Sequence, residues 1–183
     1  MNIKSLTIYC SSSNNLQPEF YEISEKITEI IAKNNYSIVY GGGKVGIMGI
    51  IAKKALNLGM KVTGVIPQFL NTKEIIFDEI NELIITKDMH ERKKLLFDLG
   101  DAFIALPGGT GTIEEIVEII SWKVLGLHKK PIIFFNINNF WDPILKQFKI
   151  INEYKFGEIN LQNIYQTIDT TQELNSILKL WKK

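Results

Sequence analysis

The sequence predicts a single α/β domain over residues 1–183, with a Rossmann-like, mostly parallel sheet and helices on both of its faces. Short apolar runs rich in β-branched residues alternate with segments of helical periodicity, which indicates a parallel sheet built from strand–helix units. Most of these runs are apolar throughout, as is typical of strands buried on both faces. A chain of 183 residues can bury a substantial core in one domain, and it contains no internal repeat or linker.

Strands and helices alternate along most of the chain. The six predicted strands cover residues 5–10, 36–40, 61–66, 82–86, 101–107 and 131–135. The six predicted helices cover residues 19–33, 46–58, 89–99, 113–125, 140–153 and 170–181. Residues 67–80 have the weakest pattern, and we interpret them as a loop or short irregular helix that reaches across the functional site.

Two helix starts carry specific signals. Asp142 and Pro143 predict an N-cap residue followed by a proline in the first turn. Thr170 and Glu173 have the spacing of a capping box, in which each side chain accepts a hydrogen bond from the other residue's backbone N–H.

The composition excludes several classes of partner. The formal net charge of +1 gives no electrostatic basis for binding nucleic acid or a membrane surface. No window approaches the roughly 18 apolar residues of a membrane span, and the first residues lack the features of a signal peptide.

The single cysteine, Cys10, cannot form an intramolecular disulfide. With only two histidines besides it, we expect no metal site. These features predict a cytoplasmic protein.

Two glycine-rich loops are the most informative part of the sequence. They read YGGGKVGIMG at residues 40–49 and LPGGTGTIEE at residues 106–115. Each ends a predicted strand and opens a helix, where open α/β sheets bind ligands and where helix N-termini present unpaired N–H groups to anions. One such loop equally fits a tight turn. Two of them at strand–helix junctions favour a ligand that carries a phosphate.

The first loop also matches the G-x-G-x-x-G spacing of dinucleotide-binding sites, through Gly41, Gly43 and Gly46. The match follows the second strand instead of the first, and Ile66 and Pro67 stand where an acid would hold a ribose hydroxyl. The sequence also lacks the G-x-x-x-x-G-K-[ST] pattern of a nucleoside-triphosphate site. We therefore expect no dinucleotide or other cofactor.

Charged residues beside these loops are the candidates for chemistry. Thr112 and Glu115 have the spacing of a capping box, so Glu115 has a purely structural interpretation. Beside an anion-binding loop, a carboxylate also suits a substrate on which positive charge builds, such as a sugar whose glycosidic bond breaks. Both interpretations stay open. Arg92 lies near a helix start, within reach of a phosphate, whereas the neighbouring Asp88 and Glu91 have N-cap and N3 spacing.

Three motifs together resemble those of the LONELY GUY (LOG) family of cytokinin riboside 5′-monophosphate phosphoribohydrolases. They are GGGKVGIMG, MHERK and PGGTGTIEE, and the resemblance covers residues 5–140. It implies hydrolysis of a nucleoside 5′-monophosphate, AMP or N6-prenylated AMP, to the free base and ribose 5-phosphate, with no cofactor. It also implies a homodimer formed through helices near the second glycine loop.

The resemblance assigns roles to individual residues. Arg92 and Glu115 match the catalytic arginine and glutamate of the family. The remaining matches are expected to bind substrate, with the second glycine loop holding the phosphate: Gly41, Gly42, Gly43, Gly46, Glu74, Lys93, Gly108, Gly109, Thr110, Gly111, Thr112, Glu114 and Ser121. The segment CSSSNN at residues 10–15 departs from the family, because Ser11 and Asn15 stand where relatives carry glycines.

Three other functions fit parts of the sequence less well. Molybdenum-cofactor carriers share the expected fold and glycine loops, so a non-catalytic nucleotide- or cofactor-binding protein is the alternative to an enzyme. The retained Arg92 and Glu115 favour the enzyme. The old label of lysine decarboxylase is rejected, because nothing near His128 and Lys129 supplies the rest of a pyridoxal-phosphate site. The near-neutral charge disfavours a DNA-binding Rossmann protein.

Overall fold

A parallel sheet of seven strands forms the centre of the computed structural model, which describes residues 3–72 and 75–182. In chain order the strands are β1 (Ser5–Tyr9), β2 (Ser37–Tyr40), β3 (Val62–Pro67), β4 (Glu82–Thr86), β5 (Ala102–Ala105), β6 (Ile132–Phe135) and β7 (Gln166–Ile168). Their order across the sheet is β4-β3-β2-β1-β5-β6-β7, and every neighbouring pair is parallel. The predicted fold class is confirmed.

Helices cover both faces of this sheet. They are α1 (Pro18–Lys33), α2 (Gly46–Asn57), α3 (Met89–Leu99), α4 (Thr110–Val124), α5 (Asp142–Glu153) and α6 (Thr171–Leu180). Apolar side chains of α1, α2 and α6 form one core cluster, and those of α3, α4 and α5 contribute to a second. Leu6 and Ile8 of β1 belong to the first cluster and Tyr9 to the second, because successive side chains of a strand point to opposite faces. No helix among the described residues is long and apolar enough to cross a membrane.

The structure corrects some predicted boundaries and adds one strand. Strand β7 was not predicted, because its three residues, Gln-Thr-Ile, are mostly polar and two of them are exposed at the sheet edge. The capping box of Thr170 and Glu173 is present. The N-cap prediction for Asp142 is wrong: Trp141 precedes the helix, and the Asp142 carboxylate accepts a hydrogen bond from Asn136 at 2.9 Å.

Strand order places a ligand crevice beside β1. This strand pairs with β2 on one side and with β5 on the other, so the chain connections lead away from it in opposite directions. In open α/β sheets the crevice for a ligand lies outside the carboxyl ends of the strands at such a switch point. Both glycine loops end here, since one follows β2 and the other follows β5.

The segment after β3 folds back over the first glycine loop. A single 3₁₀ turn, Gln68–Leu70, follows the strand, and Ile76 then forms an antiparallel bridge with Gly43. The backbone N–H of Lys44 donates to the Ile75 carbonyl at 2.8 Å. The described part of residues 67–80 agrees with the predicted loop or short irregular helix, and residues 73 and 74 lie outside the described residues.

Gly46 supports a close contact between the loop after β1 and the start of α2. Its φ of +62° lies in the left-handed region, and a Cβ at this position would stand 2.6 Å from the backbone of Ser12 and Ser13. We predict that Gly46→Ala lowers the free energy of unfolding by about 3 kcal/mol, because it combines left-handed strain with a backbone clash. Equilibrium unfolding in urea measures this.

Gly59 is the matched control for that substitution. It also has a positive φ, of +72°, but a Cβ there would meet no atom within 4 Å. Gly59→Ala should therefore lower the free energy of unfolding by only about 1 kcal/mol, the cost of the left-handed backbone conformation. Equal losses from the two substitutions would show that the clash against the loop after β1 contributes nothing.

Candidate active site

A cavity of about 440 Å³ opens at the carboxyl edge of the sheet, beside the switch point. Its volume falls in the range of small-molecule sites. The loops after β1, β2, β3 and β5 contribute to its walls, together with the first turns of α3 and the start of α4. Of the residues assigned to the site from the sequence, the walls include Gly41, Gly43, Arg92, Gly109, Thr110, Gly111, Thr112 and Glu115.

Arg92 is fixed from several directions. It lies in the first turn of α3 and is buried. Its Nε donates to the carbonyl of Val65 at 3.0 Å, and its Nη1 donates to Glu115 Oε1 at 2.5 Å. A Cβ on Gly41 would stand 2.5 Å from Arg92 Nη2, so the guanidinium lies directly over that glycine. The glycine in the first loop therefore makes room for the arginine.

Glu115 is a buried carboxylate that faces the cavity. Burial raises the pKa of its carboxyl above the usual value, and the charge and hydrogen bond of Arg92 offset this only in part. Its Oε2 makes no hydrogen bond to another described residue, so one oxygen is held by Arg92 and the other is left for a ligand. A carboxylate in these surroundings can stabilise positive charge or accept a proton.

The capping interpretation of Glu115 is wrong. The helix begins at Thr110, three residues earlier than its predicted start, so Thr112 is already inside the first turn. The Thr112 hydroxyl donates to the carbonyl of Cys10 at 3.1 Å instead of capping the helix. Glu115 consequently lies one turn too far along the helix to accept a hydrogen bond from the N–H groups at its start. Its partner is Arg92, on a different helix.

The N-terminus of α4 presents unpaired donors to the cavity. Its N-cap is Gly109, which has no side chain to accept a hydrogen bond. Among the described residues, no group accepts from the backbone N–H of Thr110, Gly111 or Thr112. These N–H groups and the positive end of the helix dipole form a site for an anion such as phosphate.

The first glycine loop differs from the second at this point. The N–H of Gly46, the first residue of α2, donates to Asn14 Oδ1 at 2.9 Å, and the N–H of Met48 donates to the Ser11 carbonyl at 3.2 Å. The protein itself therefore satisfies these donors. The first helix start therefore has acceptors for two of its first three N–H groups, whereas the second leaves all three without an acceptor among the described residues.

Several residues assigned to substrate binding do not form part of the described cavity wall. Lys93 Nζ lies 2.5 Å from Glu114 Oε1 and 3.0 Å from Glu118 Oε1, in ion pairs between α3 and α4. The Ser121 hydroxyl donates to the Val117 carbonyl of its own helix at 2.8 Å. The remaining ones away from the wall are Gly42, Gly46 and Gly108, and Glu74 lies outside the described residues. Their roles in binding stay predictions.

Sequence reasoning missed part of the wall. Ser12 and Ser13 line the cavity after β1, and Val45, Met48, Ile66, Leu70 and Ile75 give it an apolar side. The signal for the serines was their place directly after the strand at the switch point. The apolar side chains carried no such signal, because isolated apolar residues in loops are common. No cluster of three or more metal-binding side chains occurs within the described ranges.

Comparison with known proteins identifies the family. Residues 48–178 match the family described as "Possible lysine decarboxylase". The chain is 43% identical over 143 residues to the cytokinin riboside 5′-monophosphate phosphoribohydrolase of Rhodococcoides fascians. This alignment covers 78% of this chain and 72% of that protein. The chain belongs to the LOG family.

A plant member of the LOG family aligns over almost the whole chain. The cytokinin riboside 5′-monophosphate phosphoribohydrolase LOG of Oryza sativa is 34% identical over 177 residues, covering 97% of this chain and 72% of that protein. The resemblance predicted from the three motifs is therefore confirmed.

Solved structures extend the comparison of the fold. The molybdenum cofactor binding protein of Rippkaea orientalis superposes with a TM-score of 0.73 at 17% identity, covering 98% of each chain. DNA processing protein A of Helicobacter pylori gives a TM-score of 0.65 at 15% identity, covering 98% of this chain and 81% of that one. At such identities the likeness establishes the Rossmann-like fold alone.

The raised pKa of Glu115 predicts how this LOG-family chain responds to pH. In the unfolded chain a glutamate titrates near about 4.3, whereas burial moves the folded pKa upward. Between these two values the folded state binds more protons, so stability falls as the pH rises through this window. We predict that the stability of the wild type relative to Glu115→Gln decreases as the pH rises from about 4.3, then levels off.

Urea unfolding of both proteins at a series of pH values measures this difference. The glutamine keeps the shape of the side chain and an oxygen that can accept from Arg92, so the comparison isolates the ionisation. If the wild type instead becomes more stable relative to Glu115→Gln as the pH rises, Arg92 outweighs burial, and the assignment of the raised pKa is wrong.

Proposed function

We propose that this chain hydrolyses the N-glycosidic bond of nucleoside 5′-monophosphates, AMP or N6-prenylated AMP, to the free base and ribose 5-phosphate. The observation that carries the proposal is the combination, in one cavity, of free N–H groups at the start of α4 and the buried Arg92–Glu115 pair. The first element suits a phosphate and the second suits the sugar. The names of the aligned LOG relatives support the same reaction.

The 5′-phosphate binds at the start of α4 in this proposal. The N–H groups of Thr110, Gly111 and Thr112 donate to its oxygens, and the helix dipole favours its charge. A Cβ on Gly109 or Gly111 would meet no atom within 4 Å, so the approach to these donors is open. The Thr112 hydroxyl already donates to Cys10 and fixes the turn instead of contacting the phosphate.

Glu115 acts at the anomeric carbon. As the bond from C1′ to the base breaks, its electron pair leaves with the base and positive charge develops on the ribose. The ionised carboxylate stabilises this charge across a short distance. Water then adds to C1′ and loses a proton, which a carboxylate with a raised pKa is suited to accept. The departing base takes up one proton, so the protons balance over the reaction.

Arg92 orients both the carboxylate and the substrate. Nη1 holds Glu115, Nε is anchored on Val65, and Nη2 faces the first glycine loop at the cavity wall. That leaves Nη2 to contact the substrate and help the base depart. The apolar side of the cavity, which includes Met48 and Leu70, supports contacts with a base that carries a prenyl group.

Release of the base is the test of this proposal. We expect the wild type to release adenine from AMP or the prenylated base from N6-isopentenyl-AMP, measured by chromatography, and the faster substrate identifies the preference. Glu115→Gln should lower kcat at least 100-fold, on the order of the loss of one electrostatic contact to the transition state. Its loss of thermal stability should be far smaller than its loss of activity, and equal losses of the two would assign Glu115 a structural role.

Two glycines of the first loop provide a matched pair for the role of Arg92. Gly41→Ala places a Cβ 2.5 Å from Arg92 Nη2, whereas Gly43→Ala brings its Cβ no closer than 3.4 Å to the Met48 sulfur. Gly41→Ala should therefore reduce base release at least 10-fold more than Gly43→Ala, since only the first displaces the guanidinium. Similar rates for both variants would contradict the orientation of Arg92 proposed above.

A non-catalytic binding protein is the alternative function. The fold it shares with molybdenum cofactor binding proteins fits this alternative, but Glu115 does not, because a carboxylate beside an anion site weakens anion binding without benefit to a carrier. Tight binding of nucleotide without release of base would favour the alternative. A decarboxylase finds no support, since the described cavity wall contains no lysine for a Schiff base.

We further propose that the chain forms a homodimer in the cytoplasm. The α4 region leaves Ile113, Leu125 and Leu127 exposed, which supports a contact between two copies. Light scattering should give twice the chain mass of 20.9 kDa. The double variant Leu125→Glu with Leu127→Glu should be monomeric, whereas Leu180→Glu at the end of α6 should stay dimeric. A monomeric wild type would contradict the proposal.

A further inference from the structure

Two consecutive residues of α3 form ion pairs with α4. Arg92 pairs with Glu115, and the next residue, Lys93, pairs with Glu114 at 2.5 Å and with Glu118 at 3.0 Å. The Lys93 side chain is only 13% exposed, although it lies outside the cavity wall. Its burial and its two partners distinguish it from a surface lysine, for which ion pairs contribute little.

Lys93 lies where it controls the surroundings of Glu115. Its partners Glu114 and Glu118 stand one residue before and three residues after Glu115 on the same helix. Without the ammonium group, these carboxylates would repel each other and add negative charge around the buried carboxylate. The charge of Glu114 raises the pKa of Glu115, and the charge of Lys93 lowers it.

The same contacts hold the two helices in register near the cavity. Arg92 and Lys93 follow each other on α3, and their partners Glu115 and Glu114 follow each other on α4. At the far end of α3, Phe97 packs edge-on against Trp122 with ring centroids 5.0 Å apart. Since α4 also carries the free N–H groups, its position relative to α3 sets the geometry of the whole site.

We propose that Lys93 is a positioning residue, which fixes α4 against α3 through Glu114 and Glu118 so that the Glu115 carboxylate stays ionised and aligned with Arg92. This inference rests on the proposed hydrolase function of the same site. It replaces direct contact with the substrate, the role that the family resemblance implies for Lys93. A positioning residue affects the chemical step, whereas a substrate contact affects binding.

Lys93→Met tests the inference, with Lys94→Met as the matched control. Lys94 is the next residue on α3, its side chain is 62% exposed, and its partner Asp98 lies one turn along the same helix. We expect Lys93→Met to lower kcat at least 10-fold with KM within about threefold of the wild type, and to move the acidic limb of the kcat/KM profile to higher pH. Lys94→Met should match the wild type in all three quantities.

A second measurement does not depend on activity. The titration of the Glu115 carboxyl carbon can be followed by ¹³C NMR and assigned from the signal lost in Glu115→Gln. In Lys93→Met its midpoint should rise by about 0.5–1 pH unit, because a nearby positive charge is removed and two carboxylates lose their partner. In Lys94→Met it should not move.

Lys93→Arg keeps the positive charge and can reach both carboxylates. We expect it to retain the wild-type titration of Glu115 and most of kcat, and it serves as the decisive variant if Lys93→Met does not fold. A raised KM with unchanged kcat and an unchanged titration, in either variant, would overturn the inference and restore a substrate contact. If the wild type releases no base, the hydrolase proposal fails, while the NMR titration still decides the role of Lys93.

Discussion

The buried ion pair of Arg92 and Glu115 is the constraint on which the rest of the site depends. Bringing a guanidinium and a carboxylate out of water costs several kcal/mol per ion, and a single pairing rarely recovers all of it. The upward pKa of Glu115 reflects this incomplete recovery. The surrounding elements therefore have to hold the pair in place. The Val65 carbonyl of β3 accepts a hydrogen bond from Arg92, and the absence of a side chain at Gly41 leaves room for the guanidinium.

The two glycine loops beside that pair have similar compositions, but the helix starts that follow them differ in how their N–H groups are bonded. In the first loop, Asn14 and Ser11 accept hydrogen bonds from the N–H groups of Gly46 and Met48 at the helix start. The helix start in the second loop is left open, with a glycine at the N-cap. A glycine at the N-cap costs a helix only about a few tenths of a kcal/mol relative to a capping side chain, and it leaves the first N–H groups of α4 free to bind a ligand.

Much of this arrangement could be predicted from the sequence, and the exceptions have physical causes. Six strands, the helices and the residues Arg92 and Glu115 follow from patterns that depend on local spacing. Spacing alone could not decide the role of Glu115. A glutamate three residues after Thr112 can either cap its own helix or pair with a residue of a neighbouring helix. Only the contacts with Arg92 and Cys10, which are distant in the chain, resolve this. Asp142 was misassigned because the helix begins at this residue instead of after it, and its carboxylate accepts from Asn136 instead of from the helix N-terminus. The role of Lys93 likewise depends on how two helices meet.

The short stretch after β1 has a consequence for how this fold can vary. The Cys10 carbonyl accepts from Thr112, the Ser11 N–H donates to the Pro107 carbonyl, and the Ser11 carbonyl accepts from the N–H of Met48 in α2. Backbone groups of neighbouring residues thus join both glycine loops to one strand end. Insertions or deletions between Cys10 and Asn14 would shift the two loops relative to each other, whereas side-chain replacements there leave the spacing intact. We therefore expect proteins of this architecture to change their substrate through substitutions in this segment. Insertions and deletions are expected instead in the exposed connection at residues 154–160.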